Sequence, residues 1–210
     1  MCQGANQSVY SGFKMNWEKS LKVQARAFET VLGNRSIKTQ VKRLISISKN
    51  TTGFHYFTGV GKNSFIAQKI AATYNSLGIR SMFMDPGNAL HGDMNMFTKD
   101  DVVIAISKSG ETSELITFEK ALIRISPRST RVAITSASGS TLSKLSNCTV
   151  TLPVAHEGDH LNLAPMSSTL VYMGVLQAIA VDLSSSKKFS KYDFMRSHPG
   201  GSIGERGFTP

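Results

Sequence analysis

Cysteine is nearly absent. The 210 residues hold two, Cys2 and Cys148, far apart and without metal-ligand spacing, which argues against both a disulfide framework and a zinc knuckle. That usage suits a reducing cytosol, and a cytoplasmic protein is expected. Long apolar runs are also missing: the longest, residues 170–183, is interrupted by Gln177 and Asp182 and falls short of the roughly 20 residues a membrane span needs. It reads as a buried helix, and no membrane partner is expected. The first fifteen residues have neither a basic start nor an apolar block, so no secretory signal is expected. Acidic residues are in deficit, 14 Asp and Glu against 24 Lys and Arg, for a net charge of +10. Such an excess suits an anionic partner, yet the cations are scattered, with no basic arm, zinc finger, aromatic RNA-binding signature or helix-turn-helix pattern. A merely basic surface or a small anionic ligand fits this pattern better than nucleic acid.

What is present is an ordinary globular composition, 40% hydrophobic and 18% charged, in a chain long enough for one sizeable core. One domain is expected, with helices over 1–50, an α/β core over 51–185 and a C-terminal segment over 186–210. Apolar residues at three- and four-residue spacings (Trp17, Leu21, Phe28, Leu32; then Val41, Leu44, Ile45) predict two opening helices, broken at Gly33 and Asn34. FHYFTGVGK predicts a strand ending in a glycine turn, then a helix stopped by Gly78. Further strands are predicted at 81–84, 102–106, 131–135 and 149–152, and helices at 112–125, 140–144 and 163–183, with a polar connector at 184–188. Asp85-Pro86 has the form of a cap followed by proline in the first helical position. Strands alternating with helices imply a parallel sheet covered on both faces.

In such sheets ligands bind at the carboxyl ends of the strands. AISKSGETSEL, residues 105–115, lies at one of these ends and offers Ser107, Ser109 and Thr112 hydroxyls, with Gly110 between them, at the start of a helix. Short hydroxyls, free backbone N–H groups and the positive end of a helix dipole together form a phosphate receptor. The alternative is that Ser109 or Thr112 only caps the helix. Two more serine-rich strand ends, SASGST at 136–141 and APMSST at 164–169, favour the receptor.

GVGKNS, residues 59–64, fails as a nucleotide P-loop, because Tyr56 and Asn63 stand where that motif needs glycine and a hydroxyl residue; Ser64 likewise spoils a dinucleotide fingerprint. What remains is a tight turn at Gly61 that lets backbone approach a ligand, with Lys62 in the first turn of the helix. HEGDH, residues 156–160, matches the zinc-protease pattern H-E-x-x-H, but that motif works only on a helix. Here it follows Pro153 and contains Gly158, so a loop is expected.

Taken together, GVGKNSFIAQKIAATYNSLGI, DPGNALHGDMNMFTKDDVVIAISKSGETSEL, the LxLAPxSST core of LNLAPMSST, and SHPGGSIG resemble the sugar isomerase (SIS) domain of bacterial arabinose-5-phosphate isomerases, in order and over residues 54–204. The resemblance implies an α/β fold, a flavodoxin-like three-layer sandwich with a five-stranded parallel sheet flanked by helices. It further implies a homotetramer that interconverts D-ribulose 5-phosphate and D-arabinose 5-phosphate for lipopolysaccharide or capsule synthesis. By position it assigns phosphate binding to Ser107, Ser109 and Thr112, with Ser167 and Ser168 completing the pocket and Gly61 contributing backbone.

Lys62, His91, Glu111, Glu157 and His198 match the family's catalytic positions. Moving a carbonyl between C1 and C2 needs a base, and Glu157 is the choice if burial raises its pKa toward neutrality. Glu111 is expected to orient Lys62 or a sugar hydroxyl, and His91 and His198 to shuttle protons, with His198 completing a neighbouring subunit's pocket. No metal or cofactor is required by this route. Each residue also has a structural reading: Lys62 as a tolerated surface cation, His91 as a cap, Glu111 as a helix-start carboxylate, Glu157 as a loop charge and His198 as a turn histidine. Three features depart from the family. Lys108 stands where Asn is usual, His156 and His160 flank Glu157, and no paired CBS domains follow the HPGG motif, so a catalytic domain alone is expected. Another phosphosugar isomerase, or a non-catalytic sugar-phosphate regulator, would share the phosphate loop.

Overall fold

The computed structural model describes residues 15–200 and Ser202. Residues 1–14, Cys2 among them, and Gly201, Ile203 and Gly204 of the SHPGGSIG motif lie outside the described residues. Asn16 caps α1 (Trp17–Gly33) by accepting from the Lys19 N–H at 2.9 Å. Asn34 ends that helix and caps α2 (Arg35–Lys49) by accepting from the Ile37 N–H. The break between the two helices is therefore one residue wide, because Gly33 stays helical.

The chain then alternates through β1 (His55–Gly59), α3 (Lys62–Ser76), β2 (Ser81–Phe83), α4 (Pro86–Ala89), β3 (Val102–Ile106), α5 (Ser113–Ile125), β4 (Thr130–Thr135), α6 (Thr141–Leu145), β5 (Cys148–Thr151), α7 (Ser167–Ser186) and α8 (Lys191–Arg196). Asp85 caps α4 as its sequence suggests, accepting from the Gly87 and Asn88 N–H groups.

All five strands are parallel, in the order β2-β1-β3-β4-β5. Alternate side chains build two cores. Phe57, Ile104, Ile106, Val132 and Ile134 pack against α2, α3 and α7, whose Leu44, Ile70, Tyr74, Leu176 and Ile179 are buried. On the other face Tyr56 and Val103 meet Phe118 and Leu122 of α5, and Ala105 and Ala133 meet Leu115 and Leu142. Both sheet faces are thus covered, which is why β3 reads VVIAI without a polar residue. The order has a further consequence. From β1 the chain steps outward to β2 and then crosses back to β3, so the switch point lies between the carboxyl ends of β1 and β3.

Two segments differ from expectation. The helix expected from residue 163 starts at Ser167, because the Asp159 carboxylate accepts from the Leu161, Leu163 and Ala164 N–H groups and holds that stretch as a loop. At the other end α7 runs on to Ser186, and α8 follows, started by a reciprocal capping box between Ser190 and Asp193. That box is readable in the SKYD sequence.

Candidate functional site

Two loops enter the switch-point crevice. The turn after β1 places Gly61 at φ 60°, ψ −130°, a conformation suited to glycine, and delivers Lys62 as the first residue of α3 with an exposed side chain. A cavity of about 250 Å³ opens here, lined in part by Gly59, Gly61, Ser64, Gly87 and Glu114. His91 is exposed on the turn after α4, beyond β2.

The second loop follows β3. Ser107 is buried, and its Oγ accepts from the Gly110 N–H at 3.1 Å and shares a 2.9 Å hydrogen bond with Thr112 Oγ1. Ser109 is exposed and accepts from the Glu111 N–H at 3.1 Å. Thr112 occupies the N-cap position of α5, yet its side chain caps nothing. Thr112 therefore does not serve as a side-chain cap, so simple capping does not account for this threonine. Gly110 has φ 66°, and a Cβ there would stand 2.1 Å from Ser140 Oγ at the start of α6. The loop is curled tightly enough that a side chain at this position would have to displace Ser140.

Glu111 is bonded across to the start of α6. Its Oε1 accepts from the Thr141 N–H at 2.7 Å, and that bond holds the exposed carboxyl below its ordinary range. It ties the loop to α6; among the described residues it makes no ion pair with Lys62.

Glu157 is the most heavily bonded carboxylate of the site and is wholly buried. Oε2 accepts from the Met166 and Ser168 N–H groups at 2.9 and 3.0 Å, and Oε1 from Ser168 Oγ at 2.8 Å and from Lys108 Nζ. It thereby caps α7, which lacks a side-chain cap of its own. Ser167 Oγ donates to the Glu157 carbonyl at 2.8 Å. The hydroxyls of Ser167 and Ser168 are thus spent on Glu157 instead of facing an open pocket.

The expectation that burial would raise the pKa of Glu157 is overturned. Burial pushes it up, but the Lys108 ammonium together with the Ser168 and Met166 donors outweighs that and holds the carboxyl below its ordinary value. Nor is Glu157 a solvated loop charge.

Nearby, Tyr172 OH and Ser136 Oγ share a 2.7 Å hydrogen bond, and burial, with a smaller contribution from the Glu157 charge, pushes the phenol up to about 12. HEGDH is a loop: Gly158 N–H donates to His156 Nδ1, His160 is exposed, and the Asn162 side-chain Oδ1 accepts from the Glu157 N–H at 2.7 Å. Among the described residues no group of three or more His, Cys, Asp and Glu is placed to hold a metal.

His198 is not brought to this site. The 20 residues of α7 carry the chain about 30 Å from Glu157 to the amino ends of the strands. There Phe189 packs against Gly78 and Lys187 lies near His55. One short helix later His198 stacks on Phe194 at 4.0 Å and bonds its carbonyl. Sequence reading missed the Lys108–Glu157 pair, the Asp159 and Asn162 bracing, and the Ser136–Tyr172 contact; the serine-rich SASGST end was the one available hint.

Comparison with known proteins gives three findings. Residues 55–182 match the sequence profile of the SIS domain. The chain is 38% identical over 170 residues to arabinose 5-phosphate isomerase KpsF of Escherichia coli O6:H1 strain CFT073, covering 81% of this chain and 51% of that protein. It is 42% identical over 148 residues to arabinose 5-phosphate isomerase KdsD of Pseudomonas aeruginosa, covering 70% of this chain and 45% of that one. The chain spans about half the length of these curated relatives. Among solved structures, E. coli CFT073 c3406 in complex with A5P superposes with a TM-score of 0.82 at 36% identity, covering 87% of this chain and 95% of that one.

Proposed function

The chain belongs to the SIS domain family, and from that premise we propose that it is an aldose–ketose isomerase interconverting D-ribulose 5-phosphate and D-arabinose 5-phosphate through an enediol. The observation that carries this reading is a buried carboxylate, Glu157, joined through Lys108 to a hydroxyl-lined loop at the switch point of the sheet. Similarity to a protein solved in complex with A5P, and to relatives named arabinose 5-phosphate isomerase, supports the substrate.

In this reading Ser107, Ser109, Thr112 and the amino end of α5 receive the phosphate. Glu157 takes a proton from C1 of the ketose and returns it to C2, so it ends the cycle as it began. Lys62 at the mouth of the β1 turn stabilises the enediolate oxygen, and His91 and His198 assist ring opening and carry protons between O1 and O2. Glu111 positions the phosphate loop through α6. The protein is read as cytoplasmic, binding neither nucleic acid nor membrane.

We assign His198 to a neighbouring subunit's pocket in a homotetramer. Its place at the far end of its own chain supports this, as do the exposed Trp17 and Leu163 side chains, 74% and 75% accessible. An inactive His198→Ala protein mixed with an inactive Glu157→Gln protein then regains activity in hybrid oligomers; a fully active monomer in solution refutes the arrangement.

The test of the function is incubation with ribulose 5-phosphate in heavy water. Arabinose 5-phosphate carrying deuterium at C2 is the expected product. Turnover of a hexulose or heptulose phosphate in its place assigns another isomerase, and tight binding without turnover assigns a sensor.

A further inference from the structure

Lys108 lies between Ser107 and Ser109, in the middle of the loop read above as the phosphate receptor, yet its side chain leaves that loop. Its backbone is pinned: the Lys108 carbonyl accepts from Thr135 Oγ1 at 3.1 Å and from the Ser136 N–H at 3.0 Å. The side chain, 42% exposed, reaches from this fixed point to Glu157, which is 0% exposed. Of the donors to the Glu157 carboxylate, the Met166 and Ser168 N–H groups and Ser168 Oγ belong to the start of α7 and stay with it. Lys108 is the charged and mobile one.

A sugar phosphate seated on Ser107, Ser109 and Thr112 brings a charge of roughly −1.5 to −2 to the residues flanking Lys108. An ammonium is a compact charge with three donors on a flexible stem, so it can exchange one anion for another without moving backbone. Glu157 tolerates the exchange, because three hydrogen bonds remain to it when Lys108 departs.

We propose that Lys108 is a ligand-operated latch: it holds the Glu157 carboxylate until a sugar phosphate binds and then transfers its ammonium to the phosphate, which frees one lone pair of Oε1, still held by Ser168 Oγ, to face the substrate. This rests on the reading of residues 107–112 as the phosphate site and of Glu157 as the base. Lys108 is a positioning residue for Glu157 and a binding residue for the phosphate. The transfer also restores basicity where it is needed. Burial pushes the Glu157 carboxyl up, Lys108 leads the contacts that hold it down, and removing that cation lets burial count. The base is thus kept inert until the ligand that needs it has arrived.

The latch predicts a coupling that inorganic phosphate alone can read, without any turnover. Affinity for phosphate is measured by calorimetry or phosphorus NMR on the wild type, Lys108→Met, Glu157→Gln and the double variant, with unfolding midpoints recorded for each. Glu157→Gln releases the ammonium in advance and should tighten phosphate binding about 10-fold. Lys108→Met should weaken it about 10-fold, and Glu157→Gln in the Lys108→Met background should change it less than about twofold. If Glu157→Gln tightens binding equally in both backgrounds, the carboxylate acts on phosphate directly and the latch is refuted. Tightening in neither background refutes it as well. Lys108→Gln replaces Lys108→Met should the latter fail to fold.

The Ser107, Ser109 and Thr112 triple alanine variant separates the two claims. Loss of phosphate binding there, without Lys108–Glu157 coupling, leaves the phosphate site standing and sinks the latch. Unchanged binding sinks both. In turnover, Lys108→Met should raise KM about 10-fold with kcat within a few-fold, whereas a fall in kcat like that of Glu157→Gln with KM unchanged would make Lys108 part of the chemistry.

Discussion

Glu157→Gln keeps the shape of the side chain and removes its charge and its capacity to take a proton. The amide oxygen in the place of Oε2 still accepts from the Met166 and Ser168 N–H groups, so the cap on α7 survives. The NH₂ in the place of Oε1 gives Lys108 no partner and forces Ser168 Oγ from donor to acceptor. Losing a hydrogen bond to a charged group costs roughly 1.5–3 kcal/mol. Lys108 is partly exposed and regains water, which puts the loss at the lower end. Against a total stability of about 5–15 kcal/mol the variant stays folded at 25 °C. A missing general base costs about 100- to 10,000-fold in turnover, or roughly 2.7–5.5 kcal/mol of barrier. Urea unfolding, binding of a non-isomerisable sugar phosphate, and turnover of ribulose 5-phosphate, run on one preparation, separate these effects. The expected result is a protein that folds and binds but turns over at least 100-fold more slowly, on the order of the lower bound for a general base. Near-normal turnover would remove Glu157 from the role.

Ser107→Ala, Ser109→Ala and Thr112→Ala together remove three donors worth roughly 1.5–3 kcal/mol each to a charged acceptor, so sugar-phosphate affinity should collapse while the protein stays folded, less stable by about 1–3 kcal/mol because the buried Gly110 N–H loses Ser107 Oγ; wild-type affinity would place the phosphate elsewhere. Gly110→Ala forces a left-handed backbone on alanine and drives its methyl into Ser140, which should cost roughly 2–4 kcal/mol and weaken phosphate binding; a variant as stable as wild type would mean the loop can relax. His55 titrates at about 4 in the folded protein, lowered by burial and then by the Lys187 charge, against 6.5 when free. Because the folded value is the lower one, the unfolded chain takes the proton first as pH falls. Stability is therefore full above about pH 6.5 and falls by roughly 3 kcal/mol toward pH 4. His55→Phe should abolish that part of the acid slope in urea titrations, and an unchanged slope would assign it to other groups.

How much of this was legible in the chain divides along the range of the interaction concerned. The apolar strand VVIAI, the Asp85 cap, the break at Asn34 and the Gly78 stop are set by residues within four positions of one another, and each stands where periodicity and cap chemistry put it. The hydroxyl-rich end of β3 was equally plain, because a strand followed by short polar residues and a helix is a local pattern. Beyond that range the sequence was silent. Lys108 and Glu157 lie 49 positions apart and Glu111 and Thr141 lie 30 apart, and nothing in their spacing says that the sheet order β2-β1-β3-β4-β5 brings their loops to one end. Glu157 looked like a base raised by burial, and only the packed structure shows the donors of α7 and the Lys108 ammonium holding it down. His198 was expected to serve a neighbouring subunit's pocket, and only the 20-residue run of α7 shows how far it lies from Glu157 of its own chain. The reason is physical: a cap or an apolar stripe is stabilised by its own neighbours. The charge state of a buried carboxylate is instead the sum of groups that folding alone assembles around it.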